Sequence, residues 1–271
     1  MKALVLAALA AGLGLGAVLS LPDRPAPFAP VETVPVPAGR IAWTPLGSFS
    51  YQGLARTPRP VSLTVPGFEI MKYQVTRAQY AACVAEGGCQ PVPATGGDLP
   101  QTQVNWLDAT AFAAWYSDRT GQRWRRPSEA EGQRAAAERW GETAADADAG
   151  ALDPGERLLT RYERGLLLRG TVTARLQPAG AFGENTLGLA DMAGNVWEWT
   201  DGCVVNGELD ADGTIAETDP YCGVRIAGGL HRAAVVDFVR DASVGGCAAG
   251  LPPDHLGFRL VRENGPKRPA R

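Results

Sequence analysis

Asn185–Thr200 reads NTLGLADMAGNVWEWT, and this stretch decides the fold. Its glycines mark turns, whereas Trp197 and Trp199 alternate around Glu198 as the residues of a strand do. We therefore predict a turn-rich loop that leads directly into a strand, with both indole rings in the core. Two carboxylates, those of Asp191 and Glu198, lie at the two ends of the turn region.

The composition favours a loop-rich globular protein. The chain has 271 residues, of which 33 are glycine and 21 are proline, a share well above the roughly 12% of average usage. We expect many turns, long ordered loops and few long helices, and the absence of internal repeats favours one domain. Acidic side chains number 29 and basic ones 26, the formal net charge is −3, and 45% of residues are hydrophobic. These values exclude a disordered tail, a polybasic nucleic-acid-binding protein and a protein with several membrane spans.

The N-terminus has the pattern of an export signal. Met1 and Lys2 precede an uncharged apolar run over Ala3–Leu21. We predict a signal peptide or an N-terminal anchor over residues 1–21, because the run suits a cleaved signal but is also just long enough to span a bilayer. Residues 22–37 are rich in proline and lack periodicity, which predicts an extended linker. The rest of the chain is then periplasmic or secreted, and it contacts a membrane only if the first segment stays uncleaved.

The cysteines of an exported chain are expected to form disulfides. Five are present, and they are Cys83, Cys89, Cys203, Cys222 and Cys247. The sequence alone leaves their connectivity open. Cys83 and Cys89 close a short loop, and Cys203 and Cys222 bracket a polar, acidic segment. We predict these two local disulfides, with Cys247 free.

Three helices are predicted, each from a side chain that can cap its first turn. In chain order the signals are Thr76 with Gly87 and Gly88 after the helix, Asn105 or Asp108 with Gly121 after the helix, and Ser128 with Glu131 as a capping box. The second half of the chain has short apolar runs between glycine-rich turns. We expect it to consist mainly of strands and loops.

Five segments resemble, in order, the signature motifs of one family. They are Phe68–Thr76 (FEIMKYQVT), Val104–Ala109 (VNWLDA) with Phe112 and Trp115 downstream, Trp124–Glu131 (WRRPSEAE), Asn185–Thr200, and the glycine motifs Gly228-Gly229 and Gly257-Phe258-Arg259. The chain resembles the formylglycine-generating enzymes, also called sulfatase-modifying factors, from about Pro37 to Glu263. The resemblance implies an α+β, C-type-lectin-like fold, formed as a loop-rich single domain over residues 38–263 and followed by a tail over residues 264–271.

The resemblance also implies a bound calcium ion in the decisive segment. Its ligands would be the side chains of Asp191 and Glu198 and the carbonyl oxygens of Gly194 and Val196. A hard cation takes about six to eight oxygens, which carboxylates and tight turns supply. The alternative is that Asp191 only holds a turn while Glu198 faces water. The family's second calcium site has no match in the chain, so we expect one cation.

The residues that give the family its oxidase chemistry are missing. Members that oxidise a substrate cysteine to formylglycine use two copper-binding cysteines, four and nine residues after the second glycine of a Gly-Gly-Ser-Trp motif. Counted from Gly229, these positions hold Ala233 and Phe238, and neither side chain offers the soft thiolate that Cu(I) requires. We therefore assign no catalytic residue, and we treat His231, Ala233, Phe238 and Arg240 as a candidate groove.

Two functions remain open from the sequence. The first is an accessory, maturation or binding factor for a client protein or peptide, without oxidase activity, similar to the family branch that contains pyoverdine-maturation and nitrite-reductase accessory proteins. The alternative is a metal-dependent oxidoreductase that uses non-heme iron or copper. Its ligands would be His231, His255 and either Asp254 or Asp237, a two-histidine, one-carboxylate set. The iron or copper content separates the two functions.

Overall fold

A computed structural model describes residues 31–94, 96–140, 176–192, 194–229, 232–236, 238–239, 248–250 and 252–266. Its helices are α1 (Arg77–Ala85), α2 (Trp106–Thr120) and α3 (Glu129–Ala136), and α3 continues into a single turn of 3-10 helix, Ala137–Arg139. Its strands are β1 (Thr33–Val36), β2 (Gly39–Trp43), β3 (Phe49–Tyr51), β4 (Leu54–Ala55), β5 (Val61–Val65), β6 (Phe68–Met71), β7 (Gln122–Arg125), β8 (Trp197–Leu209), β9 (Ile215–Gly228), β10 (Arg232–Val236), β11 (Phe238–Val239), β12 (Ala248–Ala249), β13 (Leu256–Gly257) and β14 (Val261–Pro266). This mixture of few helices and many short strands is the predicted α+β class.

All three helices begin with the predicted caps. The Thr76 hydroxyl accepts from the backbone of Gln79, and the Gln79 side chain accepts in turn from the Thr76 backbone. Asn105 caps α2, and Asp108 completes that capping box from the third helical position. Both residues that the sequence offered for this start therefore take part. Ser128 and Glu131 form the same reciprocal pair at α3, so each helix start satisfies backbone donors that would otherwise lack partners.

A four-stranded antiparallel sheet closes the two ends of the domain on each other. Its order is β1-β6-β14-β7, so the first and last strands in the chain both flank β6. The predicted linker over 22–37 is wrong at its end, because Thr33–Val36 pairs with Phe68–Met71 along its whole length. Strand hydrogen bonds satisfy the backbone there despite Pro35. The predicted segment 1–21 and the start of the linker lie outside the described residues.

The second sheet carries the decisive segment. Its order is β10-β9-β8-β3-β4, and β13 runs parallel to β8. β8 and β9 form a long hairpin that the Cys203–Cys222 disulfide closes, and Cys83–Cys89 closes the end of α1. Both predicted disulfides are confirmed. Two small sheets, β2-β5 and β11-β12, complete the strand pairing of the described residues.

The core consists of two buried clusters on either side of these sheets. The first contains Phe112, Trp199 and Phe258, and the rings of Phe112 and Phe258 meet edge to face at 5.3 Å. The second contains Ile70 and Leu189 under α3. Among the described residues, no helix is both long and apolar enough to cross a membrane.

Candidate functional site

Polar side chains shape the loop that precedes β8. Asn185 accepts from the backbone nitrogens of Leu187 and Leu189 at 3.0 Å, and its amide nitrogen donates to the carbonyl oxygen of Ala135 at 2.7 Å. One buried side chain thereby folds the loop and fixes it to the end of α3. Short side chains with both donors and acceptors are suited to such turns.

Asp191 uses its side chain for a neighbouring backbone segment. Its backbone is in the left-handed region, with φ of 57°, which Asp tolerates better than most residues. Its two carboxylate oxygens accept from the backbone nitrogens of Gly180 at 2.6 Å and Phe182 at 2.9 Å. Both oxygens of the Asp191 carboxylate therefore accept hydrogen bonds from the local backbone, and its predicted role as a cation ligand stays a prediction.

Four oxygens nevertheless meet at one point, which is occupied by the side-chain nitrogen of Gln74. Its Nε2 atom lies 3.5 Å from the carbonyl oxygen of Asp191, 3.4 Å from that of Gly194 and 3.5 Å from that of Val196. Oε1 of Glu198 accepts from the same nitrogen at 2.9 Å. We call these four oxygens the oxygen cage. The four predicted residues thus lie together, although Asp191 contributes its backbone.

The carboxylate of Glu198 is also paired with Arg259. Arg259 donates from Nε to Oε2 at 2.6 Å and from Nη2 to Oε1 at 2.8 Å, and its remaining donors reach the backbone oxygens of Lys72 and Ala190. The Arg259 side chain is 0% exposed, and that of Glu198 is 10% exposed. The alternative in which Glu198 faces water is therefore wrong. A buried charge pair of this kind is stable only when its hydrogen bonds are complete, as they are here.

The oxygen cage fits a hard cation in its chemistry. Nε2 of Gln74 has two hydrogens but faces four acceptors, and the three carbonyl distances of 3.4 to 3.5 Å are at the limit of a hydrogen bond. The other amide atom of Gln74, Oε1, is buried without a hydrogen-bond partner among the described residues. Rotation of the amide about its last bond exchanges these two atoms and adds a fifth oxygen. In the described part of the chain, no group of three His, Cys, Asp or Glu side chains could hold a metal.

The candidate groove is on the opposite face of β8. Successive strand residues alternate between faces, so Trp197 and Trp199 point away from Glu198. Trp199 pairs with Ala227 on β9, and Ala227 pairs with Ala233 on β10. Ala233 therefore lies on the tryptophan face, where it is half-buried.

The structure brings only one of the four predicted groove residues onto this face. Phe238 belongs to β11, which pairs with β12 rather than with β9. His231 and Arg240 lie outside the described residues. The part of the candidate groove that the other three residues would form therefore stays a prediction.

An arginine–tryptophan–arginine stack adjoins the groove. The guanidinium carbon of Arg126 lies 3.9 Å from the ring centroid of Trp106, and that of Arg225 lies 3.8 Å from it. The indole nitrogen of Trp106 donates to the carbonyl oxygen of Thr200 at 3.0 Å, which fixes the ring. Arg126 is neutralised by Asp201 at 2.8 Å.

A small cavity lies on the Glu198 face, between α3 and β8, and one ion pair of α3 lines it. Glu129 binds Arg232 at 2.9 Å beside Gly132, and burial raises the pKa of Glu129 although Arg232 opposes this effect. For Glu131, burial acts in the same direction, but hydrogen bonds from Arg125 and the Ser128 backbone outweigh it and lower its pKa. The pKa values of these two neighbouring glutamates are thus shifted in opposite directions.

The predicted iron or copper ligands are described only in part. Nδ1 of His255 lies 3.5 Å from Oδ1 of Asp254, and both side chains are exposed, at 65% and 82%. His231 and Asp237 lie outside the described residues. The redox-metal site therefore stays a prediction.

Sequence reasoning missed Gln74 and Arg225. Gln74 lies within a signature motif, three residues after the end of β6, and that position was the available signal. Arg225 gave no signal, because nothing in the sequence tells which arginine meets Trp106.

Comparison with known proteins identifies the class to which this fold and site belong. Residues 26–264 match the sulfatase-modifying factor enzyme 1-like domain, and the chain belongs to this family. The family and the predicted fold class are confirmed.

Individual proteins are also similar to the chain. The chain is 31% identical over 179 residues to the formylglycine-generating enzyme of Mycobacterium tuberculosis, and the match covers 60% of this chain and 57% of that protein. It thus spans little more than half of that relative. The structure of PvdO from Pseudomonas aeruginosa has a TM-score of 0.53 and 21% identity, covering 85% of this chain and 94% of that chain. The crystal structure of CarF has a TM-score of 0.45 and 21% identity, covering 87% and 99%.

Proposed function

We propose that this chain is an exported member of the family that binds or matures a client protein or peptide and does not oxidise cysteine to formylglycine. The proposal is carried by the distribution of its thiols. Four of the five cysteines form the disulfides Cys83–Cys89 and Cys203–Cys222, which leaves Cys247. A single thiol cannot form a two-thiolate Cu(I) site.

The position of Ala233 on the tryptophan face of β8, which we also call the groove face, supports the same argument. Ala233 lies on the tryptophan face at the first position that the family resemblance assigns to a copper-binding cysteine. A methyl group there offers no ligand atom to a metal, which suits contact with a client segment rather than a metal site. The client is therefore expected to lie across β10 next to Ala233.

Export is supported by the disulfides and by the N-terminal sequence. Disulfides persist mainly in oxidising compartments such as the periplasm. The apolar run over Ala3–Leu21 has the composition of an export signal. A periplasmic or secreted location is thus part of the proposal.

Elemental analysis of the protein purified from the periplasm tests the function, and intact-mass measurement tests the export. We expect no iron or copper in near-stoichiometric amount, two disulfides, and a mature chain that lacks the N-terminal segment. Near-stoichiometric iron or copper, lost in His231→Ala and His255→Ala, would instead establish the metal-dependent oxidoreductase. A mass that retains residues 1–21 would point to an anchor.

We further propose that the oxygen cage holds one calcium ion. The ligands would be the backbone oxygens of Asp191, Gly194 and Val196, with Oε1 of Glu198 and the amide oxygen of Gln74. When bound, the cation supplies charge that orients these oxygens, and it takes no part in a reaction. The cage is built entirely from oxygen donors, which is the ligand type that calcium prefers.

Chelation tests the calcium proposal. An ion present at about 100 times its Kd stabilises the folded state by about 2.7 kcal/mol, so excess chelator is expected to lower the melting temperature. Gln74→Met removes one oxygen at similar size and should make the protein less sensitive to the chelator. Identical melting curves with and without chelator would contradict the proposal and would mean that the Gln74 amide closes the cage alone.

A further inference from the structure

We infer that Arg225 binds an acidic side chain of the client segment, and this inference rests on the proposed function. The two arginines that sandwich Trp106 differ in their partners. Arg126 is 5% exposed at its side chain and is paired with Asp201. Arg225 is half-buried, and its guanidinium makes no ion pair or hydrogen bond among the described residues.

The aromatic ring fixes the orientation of Arg225. Its guanidinium carbon lies 3.8 Å from the ring centroid of Trp106, a separation at which the group stacks on the ring face. Its Nε atom is buried and has no hydrogen-bond partner in the part of the chain that the structure describes. The ring rather than hydrogen bonds therefore holds the group, and the terminal Nη donors keep their hydrogen-bonding capacity. A planar guanidinium held in this way is suited to bind a carboxylate through two parallel hydrogen bonds.

The position of Arg225 in the sheet places it at the end of the candidate groove. Arg225 lies opposite Val235 on β10 and opposite Cys203 on β8, so it shares the face of Ala233. Diagonal neighbours on adjacent strands are about 7–8 Å apart. The Cys203–Cys222 disulfide links β8 to β9 next to this position. A segment that crosses Ala233 would therefore bring its next side chain to Arg225.

The local charge selects the chemistry of that side chain. Among the described residues, Asp201 pairs with Arg126 and no acidic side chain pairs with Arg225, so Arg225 carries the unpaired positive charge of this part of the stack. One carboxylate complements it in charge and in planar shape. We therefore assign an Asp or Glu side chain of the client to this position, rather than an aromatic or a basic one.

A titration followed by nuclear magnetic resonance tests the inference on the full chain with nitrogen-15-labelled tryptophan. The probe is the tripeptide Gly-Glu-Gly with both ends blocked, and its control is blocked Gly-Gln-Gly. The glutamate peptide is expected to shift the indole resonance of Trp106, whereas the glutamine peptide leaves it unchanged. Arg225→Gln should abolish the shift, and Arg225→Lys should weaken binding severalfold because the bidentate geometry is lost. Arg56→Gln is the matched control, since Arg56 also lies over a ring, that of Tyr51, at 5.7 Å.

Each outcome decides one point. An equal shift in Arg225→Gln and in the unchanged protein would overturn the inference, as would the absence of any shift with the glutamate peptide. A third probe is Gly-Gln-Gly with a free C-terminus. If this peptide alone caused the shift, the inferred ligand of Arg225 would be wrong, and the ligand would be a terminal carboxylate instead of an acidic side chain. If Arg225→Gln disturbs the tryptophan spectrum before titration, the Arg225→Lys comparison decides. The proposed function fails separately, through redox-metal content, so the two failures cannot be confused.

Discussion

The two faces of β8 show opposite uses of charge. On one face, Glu198 is buried among Arg259, Gln74 and backbone oxygens, and its ion pair is almost completely removed from solvent. On the other face, Arg225 stacks on Trp106 without an acidic partner among the described residues. The first face holds the loops of the domain together, whereas the second leaves donors for a ligand. The comparison teaches that one strand of this chain carries a completed, buried ion pair on one face and, beside its other face, a guanidinium without an acidic partner among the described residues.

The largest effect is expected on the Glu198 face. Arg259→Leu leaves the Glu198 carboxylate buried and unpaired, which costs about 3–5 kcal/mol of the free energy of unfolding. Arg262→Gln is the control, because the side chains of its ion pair with Glu69 are 32% and 30% exposed and such pairs contribute about 0–1 kcal/mol. Urea unfolding measures both. Equal losses in the two variants would remove the distinction between a buried and an accessible pair.

The same face can be tested by removing both charges together. Glu198→Leu with Arg259→Met deletes the pair without leaving an isolated charge. This double variant is expected to be more stable than Arg259→Leu alone, because no unpaired carboxylate remains. If the double variant were less stable than Arg259→Leu, the oxygen cage would need the Glu198 carboxylate even in the absence of Arg259. The loss in the single variant would then not come from an unpaired charge.

An intermediate effect is expected in the hairpin that carries the groove face. Replacing Cys203 and Cys222 by serine opens a loop with a sequence separation of 19, which lowers the free energy of unfolding by about 3 kcal/mol in the chain-entropy model. Urea unfolding without reductant measures the loss. Dithiothreitol should destabilise the unchanged protein more than it destabilises the variant. No difference between the two would mean that the disulfide does not constrain the unfolded chain.

The smallest effect is a difference in pH dependence between two glutamates of α3. Folding lowers the pKa of Glu131 below its ordinary value of 4.5, so its stabilisation is present above that pH and is lost as the pH falls through the lowered pKa. Glu131→Gln should therefore be destabilising at neutral pH, and this difference should shrink on acidification. Folding raises the pKa of Glu129, so the unchanged protein should lose stability relative to Glu129→Gln as the pH rises through that range. Melting curves over pH measure both slopes, and slopes of the same sign would contradict the assignment.

Local features of this molecule were predictable from the sequence. The caps at Thr76, Asn105 and Ser128 depend on residues three positions apart, and a capping box is recognisable in any sequence that contains it. The two disulfides were predicted because each closes a local loop. The signature segment gave the strand with its two tryptophans, since alternation is a property of neighbouring residues.

Long-range features were not predictable. Gln74 and Glu198 are 124 residues apart in the sequence, and their contact depends on how β6 and β8 are placed by the whole core. The Asp191 side chain was assigned to the cation from the family resemblance, and the hydrogen bonds that it accepts from Gly180 and Phe182 were not foreseen because these donors lie in a neighbouring loop. Arg225 meets Trp106 only through strand pairing. Register and sheet order determine these contacts, and neither follows from residue spacing alone.

The central claim is that the groove face cannot perform the family's oxidation. It is tested most directly by incubating the purified chain with copper, oxygen, a reductant and a cysteine-containing sulfatase peptide, with the Mycobacterium tuberculosis enzyme as the positive control. Mass spectrometry follows the conversion of cysteine to formylglycine. We predict no formylglycine with this chain under conditions in which the control enzyme converts the peptide. Formylglycine formed by this chain in a copper-dependent manner would contradict the account.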